Sequence, residues 1–179
     1  MLRLFAAIAV PFEVAEQLAP VQSGVPDARW RTDDQLHVTL RFFGEVSETA
    51  AEDLDAELAR VRGAPFDLAL AGAGAFGEGD HQRSIWAGVA ESEPLRVLAG
   101  RCESAARKAG LKPESRRYHP HVTLAYLRRS APEVRVAAWI AQHNLLRIPP
   151  WRATRFGLYS SWQTPSGSRY DLERDYPLS

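Results

Sequence analysis

The tetrapeptide His37-Val38-Thr39-Leu40 returns unchanged as residues 121–124 of the same chain. Both copies alternate polar and apolar residues, which is the pattern of a strand with one buried face and one open face. His37 and Thr39 therefore share the open face, and Val38 and Leu40 share the buried one. A histidine and a hydroxyl residue that recur in the same phase indicate two halves of one site.

Strands and helices are interleaved on both sides of the two copies. Helices are predicted at residues 13–21, 48–61, 95–108 and 132–143, and strands at 3–10, 28–32, 36–43, 66–71, 84–90, 121–127, 153–162 and 169–176. The glycine-rich run 72–81 predicts a hairpin connection, and Pro149-Pro150 predicts a break. No low-complexity linker separates these elements. We therefore expect one α+β domain over residues 1–179, with two similar lobes.

Composition limits the classes of partner. The 179 residues are 45% apolar, enough for a hydrophobic core, and the formal net charge is zero. A neutral chain generates no long-range field for capturing duplex nucleic acid, although a local basic surface remains compatible with it. Lys108 and Lys112 are the only lysines, so nearly all the positive charge is arginine, which can bind phosphate with two hydrogen bonds.

Cellular location is also constrained by composition. Cys102 is the only cysteine, which excludes an intrachain disulfide and favours a reducing cytoplasm. The first apolar strand stops at Pro11, far too early to cross a bilayer. We expect a soluble, cytoplasmic monomer without a membrane partner.

Two histidines of this kind suit a displacement at phosphorus. The ordinary pKa of imidazole is about 6.5, so near neutral pH one ring can act as a base while the other acts as an acid. One activates the nucleophile and the other protonates the departing oxygen. Thr39 and Thr123, each two residues after its histidine, can hold non-bridging phosphate oxygens.

Other interpretations of the repeat are weaker. Two core strands with incidental polar residues would not explain the duplicated phase. A zinc site needs further ligands, and the candidates His119, Asp33 and residues 78–81 have no characteristic spacing. No Gly-x-Ser-x-Gly elbow is present, and the glycine run 72–77 lacks the ending of a phosphate loop.

The sequence resembles the two-histidine phosphoesterases, and within them the RNA 2′,3′-cyclic phosphodiesterases, also called 2′-5′ RNA ligases. The resemblance rests on residues 2–8, on Trp30 with residues 36–44, on residues 118–124, and on 160–170 with 176–178. It implies a bilobal fold with pseudo-two-fold symmetry, a central cleft and no metal or other cofactor. It also implies that His37 is the proton donor to the ribose 3′ oxygen and His121 the proton acceptor from water. Thr39 and Thr123 would hold the phosphate, and the product would be an RNA or nucleotide 2′-phosphate.

One position departs from the family pattern. Many members have an arginine five residues after the second histidine, where this chain has Tyr126. Strict alternation puts Tyr126 on the side of Val122 and Leu124, where it would fill the core; alternatively it would stack on a base. Arg41, in phase with His37, is expected either to replace the missing charge or to be a solvated strand residue.

A second function comes from the basic residues near the second copy. They suggest a module that binds RNA ends or joins 2′-5′ ends, with incidental phosphodiesterase activity. These basic residues are Arg116, Arg117, Arg128, Arg129 and Arg135.

Overall fold

A computed structural model of the chain describes residues 1–77 and 83–179. Nine strands and four α-helices lie in this part of the chain. The strands are β1 (Leu2–Ala9), β2 (Ala28–Trp30), β3 (His37–Val46), β4 (Phe66–Phe76), β5 (Arg83–Val89), β6 (His121–Leu127), β7 (Arg147–Ala153), β8 (Arg155–Thr164) and β9 (Gly167–Pro177). The helices are α1 (Phe12–Leu18), α2 (Glu48–Leu58), α3 (Glu93–Lys108) and α4 (Glu133–His143). The α+β class expected from the sequence is confirmed.

The strands form one antiparallel path in the order β7-β4-β5-β6-β3-β1-β8-β9, with β2 paired to β6. Its two central strands, β3 and β6, share the single residue pair Val38–Val122. We call β3, β1, β8 and β9 the terminal half-sheet, and β7, β4, β5 and β6 the middle half-sheet. Because β3 and β6 carry the two copies of the tetrapeptide, the repeat lies where the half-sheets meet.

Helices cover both half-sheets. Helix α3 packs against α2 and against β3, while α4 contacts β4 and α1 contacts β7. Local sequence explains two of the helix starts: the Ser47 hydroxyl accepts a hydrogen bond from the Ala50 N–H at 3.2 Å, and the Ser92 hydroxyl does the same for Leu95 at 3.3 Å. Each half-sheet therefore has its own helical layer, which keeps the opposite face of the central strands open.

Alternation in β3 and β6 holds through the tetrapeptides and then breaks at the same place in both. Leu40 and Arg41 are both buried in β3, and Leu124 and Ala125 are both buried in β6. Each leucine is an extra residue opposite the neighbouring strand, since the register skips from 39 to 41 and from 123 to 125. Such a β-bulge reverses the faces of all residues that follow.

Two expectations about strand ends were wrong. Strand β4 continues through the glycine run to Phe76, because small residues are needed where Trp86 of β5 crosses; a Cβ on Gly74 would overlap the indole ring. Strand β7 runs through Pro149-Pro150, because it is at the edge of the sheet, where a missing N–H leaves no partner unpaired.

In the described part of the chain, every helix is too short or too polar to cross a bilayer.

Candidate active site

The four repeated polar side chains come together on the open face of β3 and β6. The Val38–Val122 pair puts His37 beside Thr123 and Thr39 beside His121 in antiparallel register. The two histidines are therefore diagonal neighbours, a relation in which residues are typically about 7–8 Å apart and their Cβ atoms somewhat closer. Beneath them Val38 and Val122 are fully buried, so the core fixes the strands that carry the site.

Both imidazoles are oriented by the same local bond. Nδ1 of His37 lies 2.7 Å from the carbonyl oxygen of Gln35, and Nδ1 of His121 lies 2.6 Å from that of His119. A carbonyl oxygen only accepts, so each Nδ1 must carry a hydrogen and donate it. Nε2 is then the nitrogen left for chemistry in each ring, and neither Nε2 bonds to any described residue.

Aromatic side chains enclose His37. Its ring centroid is 4.9 Å from that of Phe5 and 5.4 Å from that of Tyr170. This apolar wall disfavours the charged imidazolium, and burial is the main reason that the pKa of His37 falls from 6.5 to about 4. The nearby charges of Arg31 and His121 lower this pKa further, while the bond to Gln35 opposes the shift.

His121 has a comparable surrounding on the middle half-sheet. Its ring lies 4.8 Å from Phe76 and 5.9 Å from Trp86, measured between centroids. Burial lowers the pKa of His121 too; the bond to the His119 carbonyl opposes this, and the charge of His119 adds to it. Both rings of the free protein therefore favour the neutral form.

Thr39 and Thr123 are half-buried beside the histidines. Neither hydroxyl makes a hydrogen bond within residues 1–77 and 83–179, although the backbone carbonyl of Thr39 accepts one from the Tyr118 hydroxyl at 2.8 Å. Both hydroxyls therefore have no hydrogen-bond partner among the described residues, and their role in holding phosphate stays a prediction.

A cleft of about 520 Å³ opens beside His37, between β3 and the β8–β9 hairpin. Its lining includes His37, Thr39 and Tyr126, whereas His121 and Thr123 lie on the next strand, outside that lining. Three arginines and no carboxylate are among the described lining residues: Arg3, Arg29 and Arg31. A cleft of this charge selects anions, in a chain whose formal charge is zero.

Arg41 does not serve the site, contrary to its expected role in replacing a missing charge. The bulge at Leu40 turns its side chain to the helical face, where the guanidinium is paired with Glu103 and donates to the carbonyl of Lys112 at 2.7 Å. It is also not a solvated strand residue, since only 9% of it is exposed. Its counterpart in β6, Ala125, is buried in the same way.

Tyr126 was predicted on the wrong face by strict alternation. The bulge at Leu124 brings it back to the side of His121 and Thr123, and it lines the cleft. The guanidinium of Arg31 lies over its ring, 5.1 Å from the centroid. Arg31 is a charged cleft residue that the sequence did not identify; the only signal was its position two residues after Arg29 in a predicted short strand.

The described residues form no cluster of metal ligands. Among residues 1–77 and 83–179, no three His, Cys, Asp or Glu side chains are grouped closely enough to hold an ion. His119 is 6.2 Å from His121 between ring centroids, and the candidate segment 78–81 lies outside the described residues.

The basic residues near the second copy are partly engaged within the protein. Arg116 pairs with Glu114 at 3.2 Å, and Arg135 donates to the carbonyl of Gly24 at 3.0 Å. The Glu114 carboxylate offsets the charge of Arg116, and the bond to Gly24 holds the Arg135 side chain against the protein.

Two imidazoles on adjacent antiparallel strands, one on each side of the Val38–Val122 pair, in an α+β fold, place the protein in the class of two-histidine phosphoesterases. A sequence model of the 2′-5′ RNA ligase superfamily matches residues 10–163, and the chain belongs to that family. The family expected from the sequence is thus confirmed.

Known proteins agree with this assignment. The RNA 2′,3′-cyclic phosphodiesterase of Aeropyrum pernix is 39% identical over 107 residues, 59% of this chain and 60% of that protein. The protein of the same name from Escherichia coli K12 is 32% identical over an alignment of 191 positions, which includes gaps and covers 99% of this chain and 97% of that protein. The crystal structure of E. coli LigT complexed with 3′-AMP has 30% identity, covers 99% of this chain and 98% of its own, and superposes with a TM-score of 0.79.

Proposed function

We propose that the protein hydrolyses 2′,3′-cyclic phosphate ends of RNA or nucleotides to 2′-phosphomonoesters, without a metal ion. The observation that carries the proposal is the diagonal pair of histidines, each held through Nδ1 so that Nε2 is left for proton transfer. Relatives named RNA 2′,3′-cyclic phosphodiesterases support the substrate class. The 3′-AMP complex of E. coli LigT supports a nucleotide ligand.

In this mechanism His121 is the proton acceptor and His37 the proton donor. Nε2 of His121 takes a proton from water as its oxygen attacks phosphorus. The bond from phosphorus to the ribose 3′ oxygen breaks, and Nε2 of His37 supplies the proton to that oxygen. Thr39 and Thr123 donate hydrogen bonds to non-bridging oxygens. A 2′-phosphate and a free 3′ hydroxyl result.

The donor role requires His37 to be protonated, although its pKa in the free protein is about 4. An anionic phosphate beside the ring favours the imidazolium and raises this pKa. Substrate binding therefore supplies the charge that turns a neutral His37 into an acid.

The test is hydrolysis of a 2′,3′-cyclic nucleotide in EDTA. We expect His37→Ala and His121→Ala each to lower the rate by about 10²- to 10⁴-fold. His143→Gln is the matched control, because it removes a histidine that packs on Trp139 of α4, away from the cleft. Activity that survives either alanine substitution, or that EDTA abolishes, contradicts the mechanism.

The pH profile separates the two roles. A base must be neutral, so His121 gives the acidic limb of the rate profile, and the donor His37 gives the basic limb. Residual activity of each alanine variant should lose its own limb. Loss of the opposite limbs would reverse the two assignments while leaving the pair intact.

We also propose that the protein acts in the cytoplasm as a monomer. The cysteine content supports the location: Cys102 is the only cysteine, so no intrachain disulfide forms, as is usual in a reducing compartment. Burial in the core raises the pKa of this thiol to about 12, which makes it an unreactive structural residue. Equilibrium sedimentation tests the monomer, and a mass of twice 19.9 kDa would contradict it.

A further inference from the structure

Arg31 is held in one orientation by contacts from three parts of the fold. Its backbone N–H donates to the carbonyl of Leu124 at 2.8 Å, which fixes the chain just after β2 against β6. Its Nη2 donates to the Tyr170 hydroxyl at 2.8 Å. The guanidinium also lies 5.1 Å from the ring centroid of Tyr126 and 5.4 Å from that of Tyr170. Two tyrosines therefore clamp the side chain from opposite half-sheets.

This cation has no anionic partner within the described residues. Among residues 1–77 and 83–179 no carboxylate forms an ion pair with Arg31, and none of the described residues that line the cleft is Asp or Glu. The contrast is Arg41, which is buried and paired with Glu103. A half-buried guanidinium loses hydration, and a tyrosine hydroxyl and two ring faces replace only part of it. The guanidinium therefore has hydrogen-bonding capacity left for an anion from outside the chain.

The anion would lie beside His37. Tyr170 contacts both residues, since its ring centroid is 5.4 Å from that of His37 and 5.4 Å from Cζ of Arg31. The charge of Arg31 is also close enough to act on the His37 imidazole. A single phosphate group can thus reach both side chains. The planar guanidinium suits two parallel hydrogen bonds to phosphate oxygens.

We propose that Arg31, clamped between Tyr126 and Tyr170, binds the reacting phosphate group of the substrate next to His37. This inference rests on the proposed function, and it adds a substrate-binding residue outside the repeated tetrapeptides. Tyr126 and Tyr170 are positioning residues, because they act through Arg31.

Binding of inorganic phosphate tests the proposal without any turnover. By calorimetry, Arg31→Gln should weaken phosphate binding about 10- to 100-fold, which corresponds to loss of hydrogen bonds to a charged group. Arg31→Lys keeps the charge but not the planar guanidinium with its two parallel donors, so its loss of affinity should be smaller than that of Arg31→Gln. Arg29→Gln removes the same charge from an exposed residue of the same cleft, and a smaller loss is expected. Equal losses in the two glutamine variants would mean diffuse attraction and overturn the proposal.

Kinetics with two substrates identify which phosphate is bound. A 2′,3′-cyclic mononucleotide has only the reacting phosphate, so Arg31→Gln should lower its kcat/KM as much as that of an oligonucleotide with the same end. A loss confined to the oligonucleotide would assign Arg31 to a neighbouring phosphate and overturn the proposal. Arg152→Gln, in the edge strand β7, should leave kcat/KM unchanged for both substrates.

Tyr170→Phe tests the clamp, because it keeps the ring and removes the hydroxyl that accepts from Arg31. We expect a weaker phosphate affinity, with an unchanged melting temperature as evidence of an intact fold. Unchanged affinity would refute the clamp. If the wild type binds phosphate but hydrolyses no cyclic nucleotide, the proposed function fails, and the Arg31 site is still decided by the binding data.

Discussion

Acidification should destabilise the folded protein through His37. The folded imidazole has a pKa of about 4, whereas an unfolded one titrates near 6.5. Below pH 6.5 the His37 imidazole is protonated in the unfolded chain but stays neutral in the folded chain until the pH approaches 4. The free energy of unfolding is therefore unaffected by this residue well above pH 6.5. It falls as the pH drops from 6.5 to about 4, and it stops falling at lower pH. The walls that cause the effect are Phe5 and Tyr170.

The size of the effect follows from the two pKa values. At pH 5 about nine-tenths of the folded rings would still be neutral, while nearly all unfolded rings would be charged, so folding is about 2 kcal/mol less favourable than at alkaline pH. Only about 0.2 kcal/mol of this is already present at pH 7. Well below pH 4 the total approaches about 3 kcal/mol.

Urea unfolding followed by tryptophan fluorescence measures this difference. With a denaturant slope of about 2 kcal/mol per molar, the wild-type midpoint should fall by about 1 M from His37 alone between pH 7 and pH 5. His37→Gln, which cannot titrate, should lack that part of the fall. A constant free-energy difference between the two proteins across this range would refute the reasoning. So would an NMR titration that places the His37 pKa near 6.5.

Other predictions concern the surroundings of the site. Inorganic phosphate should raise the pKa of His37, since an anion stabilises the imidazolium; NMR titration with and without phosphate measures the change, and an unaltered value would contradict the donor mechanism. Glu103→Gln leaves the buried charge of Arg41 unpaired and should lower the free energy of unfolding by about 3 kcal/mol, while kcat stays unchanged. A large fall in kcat would instead indicate that Arg41 contributes to the active site. Gly74→Ala should displace the ring of Trp86, with a loss of about 1–3 kcal/mol and an altered fluorescence spectrum; unchanged stability would show that the ring moves freely.

Alternation in the sequence predicted the open face correctly only as far as the bulges. His37, Thr39, His121 and Thr123 precede the extra leucine in their strands, so the period of two places them as the structure has them. Positions after the leucines were assigned to the wrong face. A bulge depends on how the neighbouring strand pairs, and a single strand's pattern does not contain that information.

Long-range pairing explains the remaining differences. Pro149 and Pro150 fit a strand because β7 is at the sheet edge, and edges are properties of the assembled sheet. Arg31 enters the site because β2 pairs with β6 and because Tyr170 comes from β9, both far away in the chain. The family pattern pointed to a missing cation at Tyr126, but only the three-dimensional arrangement shows which arginine lies over that ring.

The origin of the terminal half-sheet has a consequence for folding during synthesis. Its strands β1 and β3 leave the ribosome before the strands of the middle half-sheet, whereas β8 and β9 leave after them, and β8 must dock beside β1. A nascent chain that has passed Leu127 already contains both histidines, yet it lacks Tyr170, which closes the wall of His37 and anchors Arg31. Contacts between such distant segments form slowly. We therefore expect enzymatic competence to appear late and abruptly, when the C-terminal hairpin docks.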